Sequence, residues 1–347
     1  MFNTQSVIDV RLAGVERHYL TPPRDFNMRI PDEIIKCTGF ISHDTAKPRY
    51  MGTVFVVGVE SELGGGGYLH LVTAKHVAED IDPGPFVVGM NGKDGRPIWL
   101  KSGDESRWWY HPTEPDNVDV AVVPFATAMI SEYDVTWIPD RIFGTDERIK
   151  KYGLGLGDEL FTVGLFTPFY GLSRFTSVVR TGNIAMMPPD PIPTKDFGLM
   201  EAYLVEARSI GGLSGSPVFV RNTISLPPGR TADGETISLS GLGKIHFLGL
   251  MHGHWNVIEK EGLAGLPKEM HAGISIVVPA KKILEVLYHP ELVELRRKMD
   301  KKEQENKYPV ADISRVDEPE TGFTKDDFEA ALKKVSRKII LTKSKKG

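Results

Sequence analysis

The segment of this chain best suited to covalent chemistry is Gly211-Gly212-Leu213-Ser214-Gly215-Ser216-Pro217, which runs into Val218-Phe219-Val220. Glycines around Ser214 let the backbone turn tightly and expose the hydroxyl. The amides of Gly212 and Ser214 are then the two N–H groups an oxyanion hole needs. A plain glycine-rich β-turn uses the same residues, so this match alone is only moderately specific. Upstream, Leu71-Val72-Thr73-Ala74-Lys75-His76 is a β run ending in a histidine. Between the two, Asn117-Val118-Asp119-Val120-Ala121-Val122-Val123 embeds one acid in an apolar strand. An unpaired buried carboxylate is costly, so Asp119 needs a donor, and His76 can supply one through its second ring nitrogen. Asp116 lies in the same segment, but Asp119 is preferred because apolar residues follow it in strand alternation. Each fragment is weak alone; together, in the order His76, Asp119, Ser214, they point to a nucleophilic triad.

The elements that would position these residues are short β-like runs separated by turns. Thr53–Val57, Tyr68–Thr73, Val118–Val123, Leu160–Gly164, Ala202–Val205, Pro217–Val220 and His246–Leu250 all read this way. The 35 glycines and 24 prolines among 347 residues suit a turn-rich all-β protein. Strands and helices do not alternate regularly, which argues against a doubly wound parallel sheet. The proline-rich stretch 187–193 and the segment 222–244 read as long loops. Residues 1–35 read as an N-terminal arm. Beyond about 290 nearly half the residues are charged, against 25% overall. There Glu291–Lys307 is a charged helix candidate. Thr324-Lys325-Asp326-Asp327 resembles a capping box ahead of an amphipathic helix carrying Phe328, Leu332, Val335 and Ile339.

Composition removes several classes of function. One cysteine, Cys37, allows neither an internal disulfide nor a four-cysteine zinc site. A net charge of −4 gives no general pull toward nucleic acid. Neither a membrane-spanning apolar run nor a secretion signal is visible, so the expectation is a cytoplasmic protein. His252-Gly253-His254 could set two imidazoles on one strand face, but no third ligand is evident nearby, and neither metal nor other cofactor is expected. Gly64–Gly67 lacks the lysine and serine of a phosphate loop and reads as a hairpin. Trp108-Trp109-Tyr110 reads as core or cleft wall.

GTVFVV at 52–57, LVTAKHV at 71–77, DVAVVPF at 119–125 and GGLSGSPVFV at 211–220 resemble the chymotrypsin-fold (trypsin-like) serine peptidases, especially their intracellular bacterial branch. Weaker matches at 157–166, 247–253 and 273–287 extend the likeness over about 36–288. The resemblance implies two six-stranded antiparallel barrels, one to about 140 and one from about 150, with the site in the cleft between them. A charged helical extension, 289–347, has no counterpart in the basic fold. The resemblance also implies Ser214 as nucleophile, His76 as general base and acid, and Asp119 as the group that orients the imidazole. By position, Arg208, His252 and Gly253 would border the substrate pocket, although Arg208 could equally pair with Glu206. Leu213 stands where secreted members carry the acid that pairs with a new N-terminus, so that activation route is not expected. The function implied is a serine endopeptidase acting on protein or peptide substrates. The missing zymogen signal adds a separate reading, a peptidase latent until a partner engages it, with the C-terminal extension as the candidate contact. The alternative is an inactive protease-like binding module.

Overall fold

The computed structural model describes residues 30–44, 49–62, 67–82, 84–103, 106–125, 132–207, 211–225, 229–230, 236–237, 240–259 and 268–307. Most of the expected N-terminal arm, Arg208, and the helix expected after Thr324 lie outside these residues. The chain divides into two units, Met1–Arg296 and Arg297–Gly347.

The first unit opens with a single helical turn, α1 (Asp32–Ile35), and then builds a sheet. Its elements are β1 (Thr38–His43), β2 (Tyr50–Glu60), β3 (Gly67–Thr73), the short helix α2 (Lys75–Ile81), β4 (Phe86–Asn91), β5 (Pro97–Lys101), β6 (Ala121–Phe125) and β7 (Ile138–Pro139). The strand order is β5-β4-β1-β2-β3-β6, all antiparallel, with β7 added parallel to β2. After α3 (Asp146–Tyr152) come β8 (Glu159–Gly164), β9 (Val178–Met186), the small hairpin β10 (Ile192–Thr194) and β11 (Gly198–Met200), then β12 (Tyr203–Glu206) and β13 (Pro217–Ser225). A second small hairpin, β14 (Gly229–Arg230) and β15 (Thr236–Ile237), precedes β16 (Ser240–Glu259) and β17 (Lys268–Pro279). Helices α4 (Ala280–Leu287) and α5 (Pro290–Lys307) end the described chain. β12-β17-β16-β13-β8-β9 form a closed barrel, every pairing antiparallel. In the second unit the described residues continue α5 to Lys307.

Three expectations need correction. Two six-stranded barrels were expected; among the described residues the second half closes as a ladder of strands, and the first half forms a seven-stranded sheet. In the first half the chain leaves the sheet after Lys101, and Trp109 meets Val122 of β6 through a single bridge, with N–H···O bonds of 2.8 and 2.9 Å. Segment 222–244 is partly strand rather than loop, because β13 and β16 go on pairing out to Ser225 and Ser240. His76 does not end a strand: β3 stops at Thr73, and His76 sits in the first turn of α2.

Near-continuous runs of β-branched and aromatic residues explain β1, β2, β4 and β8, which bury residues on both faces. Phe247 of β16 touches Phe55 of β2, Phe143 and Phe219, with ring centroids 5.4, 4.6 and 5.6 Å apart. One apolar cluster therefore runs from the first sheet into the barrel. A rigid shared core of this kind fixes residues from the two halves at their common edge.

Candidate active site

Ser214 lies in the turn that enters β13. Main-chain bonds pin the turn: Ser216 N donates to Leu213 O at 2.9 Å, and Gly215 N to Met251 O at 2.9 Å. Thr53 N, from β2, donates to Ser214 O at 3.0 Å. Gly212 and Gly215 have φ of +97° and +82°, a region that residues with a Cβ rarely enter. Leu213 is fully buried in the barrel's own core. Apolar packing thus anchors the residue before the serine. Among the described residues, no carbonyl accepts from the amides of Gly212 or Ser214.

Asp119 sits two residues before β6 and is fully buried. Its Oδ1 accepts from the His76 main-chain N–H at 2.9 Å, and its Oδ2 lies 2.8 Å from His76 Nδ1. Burial alone would raise the carboxyl pKa; the hydrogen bonds and charges of His252 and His76 outweigh it and hold the group ionised, well below the usual carboxylate range. Burial likewise disfavours the His76 imidazolium, but the hydrogen bond and charge of Asp119, helped by Asp80 and Asp196, raise its pKa above the ordinary value. The donor that Asp119 was expected to need is therefore present.

The loop carrying Asp119 is held from three sides. Buried Lys75 donates to Pro115 O at 2.7 Å. Lys282 of α4 reaches Glu114 at 2.8 Å, and Asn117 Nδ2 donates to Phe197 O at 3.0 Å. Asp116, the rival acid, is 94% exposed.

Two close approaches bring the histidine and serine segments together. A Cβ on Gly52 would lie 2.8 Å from Val77, the neighbour of His76, and 3.1 Å from Ser214 O. A Cβ on Gly215 would lie 2.2 Å from Thr53 O and 3.2 Å from Ala74 N. Only glycine lets these segments touch. The Ser214 hydroxyl donates to the main-chain oxygen of His252 at 3.1 Å.

His252 departs from expectation. Its ring does not simply border a substrate pocket: Nδ1 lies 2.6 Å from Asp119 Oδ2, and the ring packs edge-on against His76 and Phe197. One hint was legible in the sequence. A buried carboxylate has about four acceptor positions, more than one imidazole fills. Among the described residues, nothing lies within 4 Å of a Cβ placed on Gly253. His254 is exposed and stands outside the histidine cluster. His76, Asp119 and His252 place one ligand atom each within 4.8 Å of one another, close enough for a cation. Both Nδ1 nitrogens are at hydrogen-bond distance from Oδ2.

No described helix is long and apolar enough to cross a membrane. No family model matches this chain, and no curated protein does. Similar solved structures include the apo MamO protease domain from Magnetospirillum magneticum, at 13% identity and TM-score 0.43, covering 73% of this chain and 96% of that one. Deg5 is similar at 15% identity and TM-score 0.41, covering 73% and 88%. The active form of the Rv3671c protease from M. tuberculosis is similar at 14% identity and TM-score 0.38, covering 74% and 82%. These likenesses assign no residue a role.

Proposed function

We propose that this chain is a serine endopeptidase in which Ser214, His76 and Asp119 act as nucleophile, general base and orienting acid. The observation that carries the reading is the buried Asp119 carboxylate on His76 Nδ1, at 2.8 Å. An ionised carboxylate only accepts, so the proton of neutral His76 sits on Nδ1 and Nε2 keeps its lone pair. Nε2 is then free to take the Ser214 proton once the hydroxyl turns from His252 O toward it. Ser214 Oγ attacks the substrate carbonyl carbon, and the amides of Gly212 and Ser214 receive the oxyanion. His76 passes its proton to the departing amine, leaving an acyl-enzyme. Water, deprotonated by His76, then releases the acid and regenerates Ser214. Asp119 offsets the imidazolium charge throughout.

Protein and peptide substrates suit a site whose surface at Gly253 carries no described atom within 4 Å of a Cβ position. The reading places the enzyme in the cytoplasm and leaves room for latency relieved by a partner at the C-terminal extension. A fluorophosphonate probe tests it. Wild type should label covalently and Ser214→Ala should not; labelling that survives in the variant overturns the nucleophile assignment. A wild type that never labels, with or without candidate partners, favours the binding module.

A further inference from the structure

We infer that His252 is a positioning residue of this site, a second imidazole that orients Asp119 and receives the resting serine; the inference rests on the endopeptidase reading. Among the described residues, His252 is bonded to both ends of the triad. Its Nδ1 reaches Asp119 Oδ2 at 2.6 Å, and its main-chain oxygen accepts from Ser214 Oγ at 3.1 Å. Its ring meets His76 at a centroid distance of 5.5 Å and is held on another side by Phe197 at 5.4 Å. Phe197 is buried, and its carbonyl is tied to Asn117, two residues before Asp119.

The chemistry follows from counting lone pairs. Asp119 Oδ2 has two acceptor positions, and one imidazole N–H enters each. Oδ1 takes the main-chain N–H of His76. Three donors on one fully buried carboxylate leave it no freedom to rotate, so the imidazole of His76 is aimed by a fixed partner. The second donor has a cost as well. It draws charge from Oδ2, so Asp119 holds the His76 proton less tightly than an undivided carboxylate would. His76 then remains a neutral base to lower pH than a site without His252. The charged groups facing His76 are Asp119, Asp80 from α2 and Asp196 from the turn between β10 and β11, with His252 beside it. The two more distant acids push the other way, which gives the second donor something to oppose.

The test separates donor from filler. His252→Phe keeps the ring volume against Phe197 and removes the donor; His252→Asn keeps an N–H for Asp119 and gives up the ring. Full-length His252→Phe should lose roughly ten- to hundredfold in kcat at nearly unchanged KM, the factor for one hydrogen bond to a charged group. Its acid limb in kcat/KM should move to higher pH by about half a unit or more. His252→Asn should recover most of the kcat. If His252→Phe matches or exceeds His252→Asn, or if neither moves the acid limb, the ring is packing and the proposal falls.

A readout independent of turnover uses protein labelled with 15N in its imidazoles. Wild type should show two hydrogen-bonded Nδ1 protons at low field. In His252→Phe one should vanish, and the other, from His76, should shift. An unmoved His76 signal overturns the coupling, even in an active enzyme. A shifted signal in protein that no fluorophosphonate labels keeps the hydrogen-bonded pair and sinks the endopeptidase reading alone.

Discussion

Thr53 holds Gly212: its buried hydroxyl donates to the Gly212 carbonyl over 2.9 Å. The same oxygen accepts from Leu165 N at 2.9 Å, and the Thr53 amide reaches Ser214 O at 3.0 Å. One side chain of the first sheet therefore orients the Gly212–Leu213 peptide, one residue ahead of the serine. Thr53→Val keeps the shape, removes both hydroxyl bonds, and should destabilise by about 1–3 kcal/mol. Freed from its clamp, the Gly212 peptide should turn, so labelling by fluorophosphonate should slow more than tenfold. Thermal melts and labelling rates check this. Unchanged labelling in a destabilised variant would show that the clamp serves stability alone.

Asp119→Asn keeps the volume and removes the anion. An amide can present its N–H where Oδ2 now accepts, which forces His76 toward the wrong tautomer. The expected loss in kcat is on the order of ten-thousandfold. Substrate binding should change little, so KM is the control.

Gly215 tolerates no side chain. With φ at +82° and a Cβ position 2.2 Å from Thr53 O, Gly215→Ala is opposed by backbone on both counts. It should cost several kcal/mol or abolish soluble expression, with the cost near 1–3 kcal/mol from strain alone. Gly155→Ala, where a Cβ meets nothing within 4 Å, should shift the melting temperature little. Equal melting temperatures for the two variants would overturn the account of the turn.

The pH dependence of activity follows from His76. In the proposed mechanism it works as a neutral base, and its pKa is raised, chiefly because Asp119 outweighs the effect of burial. The active fraction should therefore rise with pH through a value above the ordinary histidine figure of about 6.5. A kcat/KM profile already flat at about pH 6 would contradict this.

Stability has a pH dependence of its own. His70 is buried beside Arg296, and burial first, then the guanidinium, lower its pKa to about 3. The folded protein refuses a proton that the unfolded chain accepts. Its contribution is fully present above about pH 6.5 and is lost as pH falls toward the folded value. His70→Gln keeps an acceptor for Arg296 without titrating. Urea melts near neutrality and at about pH 4 should show a smaller acid loss in the variant. An identical loss would place the acid sensitivity elsewhere.

Much of the site was legible in the chain because its chemistry is local. Gly211 to Pro217 dictates a tight turn whatever surrounds it, since only glycine enters φ of +97° and +82° cheaply. The lone acid in an apolar run announced that Asp119 would be buried and in need of a donor. The charged stretch from Glu291 to Lys307 is the helix its composition suggests. Element edges were less legible. His76 belongs to α2 rather than to β3, because a helical first turn and a strand end look alike over three residues.

What only the tertiary structure decided is who shares Asp119. Nothing local in Met251-His252-Gly253 aims an imidazole at a carboxylate 133 residues earlier. That contact exists because β16 closes the barrel and a shared aromatic core sets the barrel against the first sheet. Nor did local pattern tell a closed barrel from a sheet joined by one bridge at Trp109 and Val122. Closure depends on strand stagger over the whole sheet, a property no short window of residues contains.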